Sequence, residues 1–216
     1  MVHLISIGID IISLLAVFIP VMIVLRITVF KQEGFKRILV ITVFALYLSA
    51  VFSVVGIPGI QYIRFYPLFQ WIPLVDIVNS PVQYIKNTLL NILLFVPLGC
   101  LLPLIWKEFR KTKAMFLWGL GLSLFIETMQ IFTYRLTDVD DLITNTLGAV
   151  LGYGLLHIYL KKGFSVPAKV NPKKQWGDSP FLITAVVFLI KFIPVSFISG
   201  AIWEAVLSSS LWEMIK

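Results

Sequence analysis

Eight side chains carry most of the chemistry this sequence could perform. Glu127 and Gln130 sit near the end of one apolar run. Arg135, Asp138, Asp140 and Asp141 fill the short link after it, Asn145 opens the next apolar run, and Asn91 lies in an earlier one. A carboxylate partly withdrawn from water, as Glu127 would be, has a raised pKa and can serve as general acid or base. The three aspartates could hold a hard divalent cation through oxygen, although acidic link residues are often simply solvated. Arg135 suits a phosphate or carboxylate, and the amides can supply directional hydrogen bonds. There is no HExxH, no Cys/His ligand spacing, no phosphate-binding glycine loop and no G-x-S-x-G nucleophile, and His3 and His157 stand isolated. No metal site or cofactor is expected.

These groups need a bland reading beside the functional one. Asn and Gln in apolar helices also act as interhelical hydrogen-bond glue. A cluster of opposite charges can merely fix a hairpin. Glue does not require Glu127 and three aspartates with Arg135 beside them, however, and ionisable groups inside spans are a functional hypothesis by default.

The elements that would position them are apolar. The chain has 216 residues, 59% hydrophobic and 13% charged, against about 25% charged in a soluble domain. The apolar residues fall in long runs. An all-α, polytopic membrane bundle of about six spans is expected, over residues 4–30, 38–55, 86–106, 114–134, 142–160 and 181–199. The stop at Gly56-Ile57-Pro58-Gly59 is a strong breaker. Residues 60–85 are rich in aromatics and prolines and are expected on the bilayer surface or dipping against the bundle. The tail 201–216 alternates apolar residues with Glu204 and Glu213 and is read as an interfacial helix. The lone Cys100 excludes an intramolecular disulfide.

Most of the 18 Lys and Arg fall in the links after the first, third and fifth spans. This asymmetry accounts for the net charge of +7 without nucleic acid, and it places those links in the cytoplasm and both termini outside. The acidic link then faces outward. Helical spacing puts Ser123, Glu127 and Gln130 on one face, Asn87, Asn91 and Leu94 on another, and Asp141, Asn145, Gly148 and Gly152 on a third. Helical rise places Asn91, Glu127, Asn145 and Asp10 in one outer layer. Gly148 and Gly152 form a small-xxx-small surface for a close helix neighbour. Lys191, ten residues into the sixth span, leaves two readings open: its ammonium snorkels to the headgroups, or it pairs with an acid such as Glu127 or Asp10.

The ordered segments Asn91-Ile-Leu-Leu-Phe-Val-Pro97-Leu-Gly99, Glu127-x-x-Gln130, Arg135-x-x-Asp138-x-Asp140-Asp141 and Asn145-Thr-Leu-Gly148 resemble the VanZ-like family of bacterial membrane proteins, and Ile72-Pro73 in its aromatic setting also fits. The resemblance covers about residues 67–160. It suggests a division into two leading spans (1–60), a VanZ-like domain (61–160), a basic cytoplasmic link (161–180) and a last span with its tail (181–216). The family's namesake is associated with resistance to the glycopeptide teicoplanin, which implies a plasma-membrane, envelope role. The leading expectation is a non-enzymatic protein binding a membrane lipid, a lipid-linked wall precursor or a lipoglycopeptide through Asn91, Glu127, Gln130, Arg135, Asp138, Asp140, Asp141 and Asn145. The alternative is an enzyme working on a lipid-linked substrate through Glu127 and the aspartates.

Overall fold

A computed structural model describes residues 2–28, 34–161 and 179–208. The chain is all-α apart from one two-residue strand pairing, and it divides into two compact units, Met1–Ile63 with Gln175–Lys216, and Arg64–Lys174. Among the described residues five helices are long and apolar enough to cross a membrane: Gly8–Thr28, Arg37–Val54, Pro81–Ile105, Val139–Lys161 and Pro180–Leu207. Their exposed surfaces are rows of Ile, Leu, Val and Phe, which only hydrocarbon can solvate at low cost. The protein is a multi-pass membrane protein. The expected fourth span corresponds to a 19-residue helix, Thr112–Gln130, which is not among the five. Lys113, Glu127 and Gln130 dilute its apolar character.

The first unit holds α1 (Val2–Thr28), α2 (Phe35–Val54), α7 (Pro180–Ile190) and α8 (Ser196–Leu207). The breaker after α2 acts through one residue. Gly56 adopts φ 71°, so the Gly56 N–H donates to the Ser53 carbonyl at 3.2 Å and the Ile57 N–H to the Phe52 carbonyl at 2.9 Å. That is the paired closure which satisfies a helix's last carbonyls and needs a left-handed residue at its centre. Gly59 then lies so close to Ser196 that a side chain there would collide with it.

Helices α7 and α8 are not separated by a loop. One turn of π-helix, Lys191–Val195, joins them around Pro194. Proline cannot donate to the preceding turn, and a wider turn accommodates the missing bond inside an otherwise continuous span. The expected break at 199 is therefore absent: the helix runs on through Gly200 to Leu207, and 209–216 lie outside the described residues. The pairing of Lys191 is decided. Its ammonium lies 3.4 Å from Asp10 Oδ2 of α1, with the lysine side chain 9% and the aspartate 36% exposed.

The second unit holds α3 (Val75–Asn79), α4 (Pro81–Ile105), α5 (Thr112–Gln130) and α6 (Val139–Lys161). Helix α4 starts five residues before the expected 86, because Pro81 stands at its first turn, where a missing N–H costs nothing. Helices α4 and α6 run parallel: Asn91, midway along α4, meets Asp141 near the start of α6, and beyond the far end of α4 the Tyr153 hydroxyl donates to the Arg110 carbonyl at 2.8 Å. The close neighbour expected for Gly148 and Gly152 is α4. A Cβ on Gly148 would strike the Ile92 carbonyl, and one on Gly152 the Val96 carbonyl, while Gly99 answers from α4 against Ala149. Helix α5 buries Met115, Gly119, Leu122, Ser123, Ile126, Glu127 and Gln130 at helical spacing, and its main neighbour is α6.

Residues 64–70 do not lie free on the surface. The Arg64 N–H donates to the Phe132 carbonyl, Tyr66 N–H to Ile131, and Thr137 N–H to Leu68. Strand β1 (Phe69–Gln70) pairs parallel with β2 (Thr137–Asp138). The aromatic connection is thereby stitched to the acidic link, with Phe65 against Phe132 and Tyr66 against Tyr134.

Candidate functional site

The site grows from the start of α6. Asp140 N–H donates to Asp138 Oδ1 at 2.9 Å, a local turn that sets the first residues of the helix. The Asp140 carboxylate in turn accepts the Leu74 N–H at 2.9 Å. Leu74 is left-handed, with φ 65°, an uncommon state for a residue with a Cβ. Asp140 holds that turn and so places α3, whose first turn carries Asp76, beside α6.

Glu127 works from behind. Its Oε2 accepts the Asp138 N–H at 3.0 Å, and its backbone carbonyl accepts the Thr137 hydroxyl at 3.3 Å. It is 4% exposed, and its Oε1 has no hydrogen-bond partner among the described residues. Asn145 is buried too; its Nδ2 donates to Ser123 Oγ at 3.0 Å, which ties α6 to α5. Asn91 Nδ2 donates to Asp141 Oδ1 at 2.6 Å, which ties α4 to α6. Gln130 is buried at the end of α5, whereas Arg135 is exposed.

In front of this lattice lies a cavity of about 190 Å³, lined by Asp76, Ser80, Gln83, Tyr84, Asn87, Thr88, Asp138, Asp140, Asp141 and Thr144. Of the eight residues proposed from sequence, Asp138, Asp140 and Asp141 line it. Asn91, Glu127, Gln130 and Asn145 are outside the lining; Asn91 and Glu127 bond to Asp141 and Asp138, which are in it. Arg135 does not line it either.

In the rest of the wall, sequence spacing places Asn87 on the Asn91 face, whereas Asp76, Ser80, Gln83, Tyr84, Thr88 and Thr144 were missed by sequence reading. Ser80, Gln83, Tyr84, Asn87 and Thr88 recur at three- and four-residue steps on one face of α4, continuing the stripe of Asn91. That periodicity was readable, but starting the span at residue 86 left its first half in a connection. Asp76 had no such signal.

The wall is electrically one-sided. Four carboxylates line the cavity, and no Lys or Arg among the described residues joins them. Asp138, just ahead of α6, has its pKa raised above the ordinary aspartate value. Burial is the main cause, with the charges of Asp140 and Asp76 adding to it and the Asp140 N–H opposing it. No three or more described His, Cys, Asp or Glu are grouped to hold a metal ion. What the cavity offers a ligand is carboxylate, hydroxyl and amide groups, a set that accepts hydrogen bonds from ammonium and sugar hydroxyls.

The VanZ/LLP1 family model matches residues 44–160, more than half of the chain. Protein VanZ of Enterococcus faecium is 40% identical over 76 residues, covering 33% of this chain and 47% of the relative. The chain thus spans about half the length of that curated relative. No solved structure matches. The glycine-locked α4–α6 pair, the buried Glu127 and the acidic turn at 138–141 all fall within the matched residues, and the chain belongs to the VanZ/LLP1 family.

Proposed function

We propose that this protein is a non-enzymatic envelope protein that receives the polar head of an amphiphile in the α3–α4–α6 cavity, from the outer side of the plasma membrane. One observation carries the reading: four carboxylates, with hydroxyls and amides between them, line a cavity whose wall, among the described residues, has no basic side chain. Such a wall repels phosphate and free carboxylate and favours an ammonium or a sugar ring. A head group with amino or hydroxyl functions, on a lipid-linked wall precursor or a lipoglycopeptide, has that chemistry. Arg135, exposed and outside the wall, is then free of any role inside the cavity, although it remains placed to meet an anionic group at the surface. The stacked Phe69–Trp71 pair, with ring centroids 5.0 Å apart and Trp71 exposed, offers an apolar platform for the lipid portion. The family's link to teicoplanin makes that molecule the first ligand to test, with resistance as the cellular readout.

The test uses the purified full chain in nanodiscs with teicoplanin and with its N-acetylated form. Asp76→Asn removes one wall charge without breaking a hydrogen bond within the acidic turn. A charge-assisted hydrogen bond contributes about 1.5–3 kcal/mol, so affinity should fall roughly 10- to 100-fold. Equal binding by wild type and Asp76→Asn, or by the native and acetylated ligands, would remove the ammonium reading. The enzymatic alternative gains no support from Glu127, which is outside the cavity lining and spends one oxygen holding the Asp138 backbone.

A further inference from the structure

The turn before α3 carries a leucine where its geometry favours glycine. Residues 72–75 read Ile-Pro-Leu-Val, and Leu74 has φ 65° and ψ 6°. Those angles match the third residue of a type II turn, about 80° and 0°, with Pro73 in the second place, where proline suits type I and type II alike. Glycine or asparagine is favoured at the third place, because a Cβ crowds a left-handed backbone. Leu74 is the one non-glycine residue with positive φ among the described residues. A type I turn needs no such state: its third residue has φ about −90° and ψ again near 0°.

The two forms differ by a flip of the peptide between Pro73 and Leu74. Because ψ of the third residue is near zero in both, the Leu74 carbonyl keeps the Ile77 N–H, 3.1 Å away, at the start of α3. The flip reverses the Leu74 N–H and the Pro73 carbonyl. That N–H donates to Asp140 Oδ2 at 2.9 Å, a charge-assisted bond that holds the costlier form. Packing gives no other reason for it, since the Leu74 side chain is exposed and α3 buries no residue. Asp140, by contrast, is 7% exposed and lines the acidic cavity, so one carboxylate serves both the turn and the cavity wall.

We infer that the Pro73–Leu74 peptide is a switch worked by the ammonium of the ligand, an inference that rests on the cationic head group proposed above. An ammonium at Asp140 competes with the Leu74 N–H for the same carboxylate. The turn then relaxes to type I, and the Pro73 carbonyl swings to where the N–H stood, as a further acceptor for the cation. The cation ties the turn to α6 in place of the N–H, so Asp76 stays in the wall. Relief of the left-handed leucine thus adds to binding, and Leu74 sets how much.

Hydrogen exchange of the full chain in nanodiscs, read residue by residue with electron-transfer fragmentation, tests the switch with and without teicoplanin. Teicoplanin should speed exchange at the Leu74 amide and leave Ile77 and Ser80, bonded within the turn and α3, unchanged; its N-acetylated form should do neither. Asp140→Ala should speed exchange at the same amide and make it insensitive to teicoplanin. Leu74→Gly removes the strain, so it should slow that exchange and weaken teicoplanin roughly fivefold. Leu74→Asn, which tolerates the left-handed state without the flexibility of glycine, should follow it, and Leu74→Val should shift both readings the other way. The side chain is exposed, so these variants keep the core intact. Teicoplanin bound with the Leu74 amide unmoved overturns the switch alone. So do Gly and Val variants that change affinity in the same direction, or exchange at Ile77 and Ser80 rising with that at Leu74, which would mean that α3 unwinds. No binding of teicoplanin by any variant overturns the cationic reading and the switch with it.

Discussion

Replacing Asp10 by leucine, with Lys191 retained, isolates the energetics of the Asp10–Lys191 ion pair. Lys191 is only 9% exposed and stands on the π-turn in the middle of the Pro180–Leu207 span. Without Asp10 its ammonium loses its counter-charge in apolar surroundings. Breaking a buried pair in this way costs about 3–5 kcal/mol. The observed 3.4 Å separation is longer than the ~2.8 Å of a strong charge-assisted bond, and a lysine stem can partly snorkel, so the lower end, about 3 kcal/mol, is expected. The reverse change is milder. Lys191→Met leaves Asp10, 36% exposed and two residues inside the Gly8–Thr28 span, able to reach the interface, at about 1 kcal/mol. The double variant Asp10→Leu with Lys191→Met removes both charges and should lie within about 1 kcal/mol of the wild type, or above it. Independent contributions would instead sum to a loss of about 4 kcal/mol, well beyond the ~0.5 kcal/mol error of additivity. Reversible unfolding of the purified protein in mixed micelles, followed by tryptophan fluorescence with rising SDS fraction, measures all four corners. A double variant as unstable as the sum of the single ones would refute the pairing as a source of stability and return Lys191 to snorkelling.

Three further expectations follow from the geometry. Gly152→Ala drives a methyl into the Val96 carbonyl and should destabilise by about 1–3 kcal/mol, whereas Gly154→Ala meets nothing within 4 Å and should stabilise by about 0.5–1 kcal/mol; the same unfolding assay separates them. Asp138 has a raised pKa in the fold, so the native state binds its proton more tightly than the unfolded chain does. Its contribution to stability is therefore favourable at low pH and fades as pH rises from the ordinary aspartate value to the folded one, while affinity for a cationic ligand rises through the same window. Asp138→Asn should flatten both profiles, and an unchanged pH dependence would assign them to another group. In a Cys100→Ser background, Arg135→Cys should label with an impermeant thiol reagent from outside intact cells and Lys111→Cys should not; the opposite pattern inverts the orientation and moves the acidic cavity to the cytoplasm.

The sequence by itself determined what depends on neighbours along the chain. Apolar run length gave five of the six expected spans, because a helix in hydrocarbon must satisfy its own backbone and cover it with apolar side chains; the fourth, Thr112–Gln130, is too diluted by polar groups to be among them. Gly56 marked the end of α2, since the closing turn needs a left-handed residue. Gly148 and Gly152 announced a close helix contact through four-residue spacing alone. The acidic turn at 138–141 was legible as the place where polar chemistry concentrates.

Tertiary structure decided which surfaces meet. Nothing in the spacing of Gly148 and Gly152 names α4 as their partner; that follows from Gly99 offering a matching gap on the opposite helix. Asp10 and Lys191 are 181 residues apart, and either of two acids satisfied the sequence equally well. Asp76 becomes part of the site because the Asp140 carboxylate holds a left-handed Leu74, and Ser80, Gln83 and Tyr84 join because Pro81 starts α4 early. Arg135 parts from its neighbours for the same kind of reason. It lies on the exposed stretch between α5 and β2, while the Glu127 bond to the Asp138 backbone and the β1–β2 pairing anchor the next few residues beside the cavity. Local periodicity fixes which face of a helix is polar; only the packing of that face against others makes it a wall, a brace or a surface.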